Sequence, residues 1–110
     1  MPETSASIFK IEGLEQLRSA NQRAYLEFLR LKSLSAGLYV LQQGATDTQR
    51  PHHQDELYYV IRGRARFKAG AEDWEVSAGS VLFVAAEVEH RFYDIAEEIA
   101  LLVFFAPAET

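Results

Sequence analysis

From Leu38 onward the chain alternates short apolar runs with turn residues. Leu38 to Leu41 is apolar, and a polar loop from Gln42 to Pro51 holds Gly44 and Asp47. Leu57 to Ile61 follows, a break at Gly63 separates it from Arg64 to Lys68, and Ala69-Gly70-Ala71 makes a turn. Trp74 to Val76 is short and ends at Ser77-Ala78-Gly79-Ser80. Val81 to Val84, His90 to Ile95 and Ile99 to Phe105 complete the series. Short strands at this spacing, with glycine between them, predict an all-β sandwich or barrel. No long helical stretch separates the strands, which speaks against a parallel α/β sheet. Upstream, Ala24 to Lys32 is dense in Tyr, Leu and Phe and is read as a strand, followed by turn or edge residues Ser33 to Gly37. Before it, Leu14 and Leu17 permit only a short helical turn.

Composition narrows the picture. The 110 residues allow one domain, 1–110, with Met1 to Ser7 as a flexible tail. At 48% hydrophobic and 25% charged, the chain can fill a core and is not expected to be disordered. A net charge of −5 argues against a nucleic-acid partner, which needs a basic face. The absence of cysteine removes disulfides, cysteine-based zinc sites and thiol nucleophiles together. The longest apolar run, Ile99 to Ala106, is far shorter than the roughly 20 residues of a membrane helix and suits a buried strand. Met1 to Ser7 lacks the basic start and apolar run of a secretory signal. The expectation is a soluble cytoplasmic protein without a membrane partner.

Candidate chemistry lies around the three histidines, His52, His53 and His90. Two of them stand in Pro51-His52-His53-Gln54-Asp55-Glu56, where imidazole and carboxylate together suit a borderline divalent metal. If this stretch is extended, residues 52, 54 and 56 face one way and 53 and 55 the other. His52 and Glu56 then converge, while a local bulge would instead turn His53 inward. A solvated His-His pair is the plain alternative.

The wider spacing resembles the cupin family. Its first motif has the form G…HxHx(3,4)E-x6-G and its second G-x5-PxG-xx-H-x3-N. Glu56-x6-Gly63 matches the end of the first, within about 44–63, and Gly79-x5-Ala85-x-Glu87-xx-His90-x3-Asp94 matches the frame of the second, about 79–94. The resemblance implies a small antiparallel jelly-roll barrel with little helix. It also implies a metal site at the barrel mouth held by His52, Glu56 and His90, with a small-molecule ligand beside it. Counting back from Glu56, the family's first histidine falls on Arg50, which has no lone pair to offer. Ala85 and Glu87 replace the usual proline and glycine, so the turn is expected to differ, and Asp94 replaces asparagine.

Two histidines and one carboxylate form a facial set with open positions, suited to Fe, Mn, Ni or Zn. The implied function is a metal-dependent enzyme acting on a small organic molecule, an oxygenase being one form. The alternatives are a non-catalytic small-molecule sensor and a metal-free structural relative. A homodimer is expected, since open sheet edges and outer apolar side chains in the strands Ala24 to Lys32 and Ile99 to Phe105 want cover.

Four further features take structural readings. Arg62, Arg64, Arg66 and Lys68 are read as a solvated outer face balanced by Glu72, Asp73 and Glu75. Tyr58, with the parity of Glu56, is placed in the pocket wall or core. Trp74 shares a face with Val76 and is placed in the core or a dimer contact. Glu97-Glu98 is read as a solvated turn.

Overall fold

The structure is a computed structural model that describes residues 5–110. One helix, α1 (Ile11–Asn21), precedes six strands: β1 (Tyr25–Arg30), β2 (Ser35–Leu41), β3 (Asp55–Ala69), β4 (Glu72–Ser77), β5 (Val81–Val84) and β6 (His90–Ala106). They join in the order β1-β2-β6-β3-β4, with β5 also on β3. Every pairing is antiparallel, as a jelly-roll barrel requires. The flexible-tail reading of Met1 to Ser7 falls in part on residues 1–4, outside the described residues.

Gly63 organises the longest ladder. Along β3 the buried positions are Glu56, Tyr58 and Val60, then Ala65, Phe67 and Ala69, so the inward parity switches from even to odd. The register against β6 shifts repeatedly between Val60 and Arg66, which makes the extra step. Gly63 sits at φ +95°, and a Cβ there would lie 2.2 Å from the Glu98 carbonyl oxygen, so only glycine fits the bulge. The strand bends without ending. What reads in sequence as two strands on each side of Gly63, and again on each side of Glu97-Glu98, is one continuous strand in both β3 and β6. Glu97-Glu98 is therefore not a turn. These two residues lie in β6 opposite the bulge and pair with Arg64 and Arg62.

The hydrophobic run of β2 is explained by cover on both faces. Leu41 joins the barrel interior with Tyr58, Phe67, Phe92, Leu101 and Phe105. Leu38 and Val40 face outward beneath α1, with Leu14 and Ala100. Burying Leu14 contributes about 1.5–3 kcal/mol, and this docking is what holds an 11-residue helix that would be marginal alone. The helix thus exceeds the short turn expected from Leu14 and Leu17, and Leu17 itself is exposed. It stops at Gln22, whose left-handed φ of 58° lets its N–H close on the Arg18 and Ser19 carbonyls.

Ser35 to Gly37, expected as turn or edge, lie within β2. Gly37 is required by close approach, because a Cβ would sit 2.2 Å from the Tyr25 ring. The basic outer positions of β3 are balanced, as expected of a solvated face, but by other acids. Arg62 pairs with Glu15 and Glu98, Arg64 with Glu97, and only Arg66 with the anticipated Asp73. Trp74 lies across from Phe67 with the rings stacked, while remaining part-exposed at the barrel rim. The outer face of β3 and β5 has no cover among the described residues: Leu57, Tyr59, Val81 and Phe83 are all exposed there.

Candidate metal centre

Glu56, the second residue of β3, points into the barrel and is 2% exposed. His90 opens β6 and pairs in the ladder with Ala69, at the far end of β3 from Glu56. A straight strand would hold those two ends about 40 Å apart. Curvature closes the gap, and His90 Nε2 lies 3.1 Å from Glu56 Oε1. His52 comes from the loop ahead of β3, with Nε2 3.9 Å from the same oxygen. One ligating atom from each of the three residues lies within 4.8 Å of the other two. His52, Glu56 and His90, the three residues that the family resemblance implies, are thus brought together.

The protons are placed by the outer partners. The Val88 carbonyl, 2.9 Å from His90 Nδ1, accepts that N–H and leaves a lone pair on Nε2. The Glu109 carboxylate lies 3.2 Å from His52 Nδ1, and the hydrogen bond of that ring joins Nε2 to Gln49 Oε1 at 3.2 Å. Despite the 3.1 Å approach, His90 Nε2 and Glu56 do not meet at a hydrogen-bonding angle: that nitrogen and both Glu56 oxygens are buried without a hydrogen-bond partner among the described residues. Buried acceptors facing one another repel unless a cation stands between them. Either a proton or a metal ion fits that place. Burial lowers the His90 imidazole pKa, but the Glu56 carboxylate and the Val88 carbonyl outweigh it and hold it above its ordinary value. Two imidazoles and a carboxylate are donors that a divalent metal accepts, so the residues fit such an ion.

His53 and Asp55 do a different job. Both point away from the centre and tie the two ligand-bearing segments to each other. His53 Nδ1 meets Glu87 Oε2 at 2.8 Å, and Asp55 Oδ1 accepts the Ala86 N–H. The Glu87 N–H donates to the His52 carbonyl at 2.7 Å. Glu87 keeps a left-handed φ of 70° at the position where the family pattern has glycine. The Glu87 carboxylate takes His53 as its partner. Asp94 likewise holds φ 46°, a conformation that aspartate and asparagine both tolerate.

Three residues near the centre escaped the sequence reading. Asp47, buried in the loop before β3, accepts from the Tyr39 hydroxyl, the Phe92 N–H, and both the backbone and side-chain N–H of Gln49. Gln49 Oε1 in turn accepts the Tyr58 hydroxyl proton at 3.1 Å. Burial and then Glu56 hold the Tyr58 phenol well above its ordinary pKa, so it stays a donor. Glu109 closes over the centre from the C-terminal segment, its N–H donating to Ser35 Oγ. A loop of polar residues carries no periodicity from which these roles could be found. Arg50, aligned with the family's first histidine, is exposed instead.

Beside His52 opens a cavity of about 180 Å3 with largely apolar walls, including Val103, Phe105 and Tyr39. Tyr25 also lines it, and the Tyr25 hydroxyl is buried with no hydrogen-bond partner. Burial foremost, then Glu109, raises the Tyr25 pKa well above the usual phenol value, so the group remains a donor.

The comparisons with known proteins agree with this architecture. An uncharacterized protein of Streptomyces coelicolor is 48% identical over 102 residues, covering 93% of this chain and 97% of its own. Among solved structures, a Thermus thermophilus protein designated TT1209 superposes with a TM-score of 0.71 at 22% identity, covering 92% of this chain and 97% of that one. An RmlC-like cupin from Shewanella frigidimarina gives 0.68 at 21% identity, with 76% and 75% covered. These two show the fold. The sequence pattern of the Cupin domain matches residues 37–106, most of the barrel and all three converging side chains, and the chain belongs to that family.

Proposed function

We propose that His52, Glu56 and His90 hold one divalent metal ion, and that the protein is a metal-dependent enzyme acting on a small organic molecule. The observation that carries the reading is the set of buried acceptors, Glu56 Oε1, Glu56 Oε2 and His90 Nε2, turned together without a hydrogen-bond partner. A bound ion would supply a Lewis acid with open positions for exogenous ligands. The chain's own side chains do the rest. Val88 and Glu109 fix the two imidazoles, Val103 and Phe105 pack the apolar part of the substrate, and the free Tyr25 hydroxyl donates to a substrate oxygen. The substrate class is therefore a compact, mostly apolar molecule bearing an oxygen acceptor.

Elemental analysis of protein purified without added metal tests this first. About one iron or manganese per chain is expected. The Fe(II)-loaded protein should bind nitric oxide, as an oxygenase site would, and a small oxygen-bearing ligand should perturb the signal. Protein that holds no metal and rebinds none overturns the reading. Metal uptake without any turnover of small organic acids or alcohols moves the assignment to a binding or sensor role.

We propose further a cytoplasmic location and assembly as a homodimer. The bare apolar rows on β3 and β5, Leu57 beside Phe83 and Tyr59 beside Val81, support pairing of two copies. Among the described residues no helix is long and apolar enough to cross a membrane. Sedimentation should give twice the chain mass of 12.5 kDa, and Phe83→Glu should give the single-chain mass. A wild-type protein that sediments as one chain at micromolar concentration overturns the dimer.

A further inference from the structure

We infer that the small molecule taken up beside the centre is a monocation, a compact tertiary or quaternary amine caged by Tyr25, Tyr39 and Phe105 and held by the Glu109 carboxylate. This rests on the proposed reading of that cavity as the substrate site and adds the ligand's charge to it.

The cavity is walled by rings. Tyr25, Tyr39, His52 and Phe105 all line it. Tyr25 and Tyr39 stand 6.1 Å apart between centroids at an angle of 72°, and His52 meets Phe105 at 4.8 Å and 65°. Two rings so disposed form a corner, and a cation standing in it lies within about 6 Å of both centroids, where cation–π attraction acts. The Tyr25 ring owes its place to Gly37, because a Cβ there would meet the ring carbon Cζ and the hydroxyl oxygen at 2.2 Å. The size agrees as well. An apolar cavity of about 150 Å3 holds benzene, so the space of about 180 Å3 here suits a trimethylammonium group with a short tail.

The surrounding charge selects the sign. No lysine or arginine lines the cavity, and Glu109 does. Further acids stand behind the rings. After burial, Glu109, Glu27 and Glu56 in that order raise the pKa of the Tyr25 phenol, and Asp47 and Glu56 act alike on Tyr39. The one basic side chain acting on either phenol is Arg30, whose guanidinium is turned to the Glu27 carboxylate and the Glu109 carbonyl. Four carboxylates therefore face one guanidinium, and a divalent ion at the centre still leaves one negative charge uncompensated. An anionic ligand would meet Glu109 with no cation opposite, and like-charge contacts of that kind reject a ligand. In a quaternary amine the N-methyl groups pack on Val103 and Phe105 while the charge stands against the rings and Glu109.

The test titrates the full chain, with a chelator present, against three probes of similar shape: choline, its uncharged analogue with carbon in place of nitrogen, and the anion tert-butylacetate. Choline should bind about five- to thirtyfold more tightly than the uncharged analogue, the range that cation–π contact contributes at a desolvated site. The anion should bind more weakly than either. Glu109→Gln should lower the ratio of choline to analogue by about fivefold. Tyr25→Leu should lower it too, whereas Tyr25→Phe keeps the ring, weakens both probes alike and preserves the ratio. Glu109→Gln carries the test if Tyr25→Leu does not fold. Equal affinity for choline and the analogue, or a preference for the anion, overturns the selection of a cation and leaves the small-molecule cavity standing. No binding of any probe overturns the cavity as the substrate site, and the inference falls with it. Because the chelator keeps metal away, a purified protein without metal counts against the metal reading alone.

Discussion

Two adjoining parts of the barrel interior satisfy their side chains in opposite ways. In the aromatic cluster, Phe67 and Phe92 pack at 4.6 Å between ring centroids, and Tyr58 meets Phe92 edge-on at 5.1 Å. Phe67, Phe92 and Tyr58 are 0% exposed, and each finds its partner in the chain itself. At the mouth, Glu56 and His90 are buried nearly as deeply, yet their facing atoms have no hydrogen-bond partner. A buried polar group left unsatisfied costs about 1–3 kcal/mol. The chain bears that cost at the polar centre and avoids it in the aromatic cluster beside it. The cluster serves stability, and the centre is poised for something that arrives from outside.

The largest effect should come from breaking the aromatic cluster. Phe67→Ala should lower stability by about 3–5 kcal/mol in urea denaturation, through lost burial and the cavity left behind. It removes none of the metal donors, although the Phe67 ring lies 6.1 Å from that of His90. A loss below about 1 kcal/mol would mean that this cluster collapses readily and that its contrast with the polar centre is overstated.

Breaking the mouth should do the reverse. His52→Ala and His90→Ala should each lower metal affinity by about 100-fold, at the upper end of what even outer-partner losses bring. His53→Ala should stay within about threefold, because its exposed pair with Glu87 only ties segments together. If His53→Ala abolished binding and His52→Ala did not, the assignment of inward and outward histidines would be wrong.

A smaller, graded effect should follow pH. The His90 value is raised in the metal-free fold. Protonated His90 beside Glu56 therefore stabilises that fold fully below the unfolded value of about 6.5, and this contribution fades as pH rises through the raised value. A metal ion competes with that proton, so its affinity moves the other way. It should fall by about tenfold per pH unit as pH drops, beginning above 6.5. Undiminished affinity at pH 5 in a Mn(II) titration would remove the competition between proton and metal from the account of the mouth.

Much of the fold could be read from local pattern. The strands from Leu38 onward and the barrel class follow from short apolar runs broken by glycine and turn residues, and the shared parity of Glu56 and Tyr58 follows from strand alternation. The glycine at 63 was visible, but not its effect. A bulge inserts a residue without ending the strand, and local sequence does not distinguish it from a turn. The helix was underestimated for a related reason. Leu14 alone makes a weak stripe, and α1 is held by what lies beneath it on β2 and β6.

The sequence by itself determined which residues could serve chemistry. It holds three histidines and no cysteine, and its motif spacing marks His52, Glu56 and His90. Only the tertiary structure decided which atoms meet. Glu56 and His90 become neighbours because two long strands curve through a bulge, a consequence of long-range pairing that no local pattern encodes. Gln49 and not Arg50 turns inward because Asp47, itself held by Tyr39 and Phe92 from β2 and β6, fastens the amide. Period-two alternation runs from Glu56 back through His52, and in the loop before Pro51 the direction of a side chain is set by partners such as Asp47.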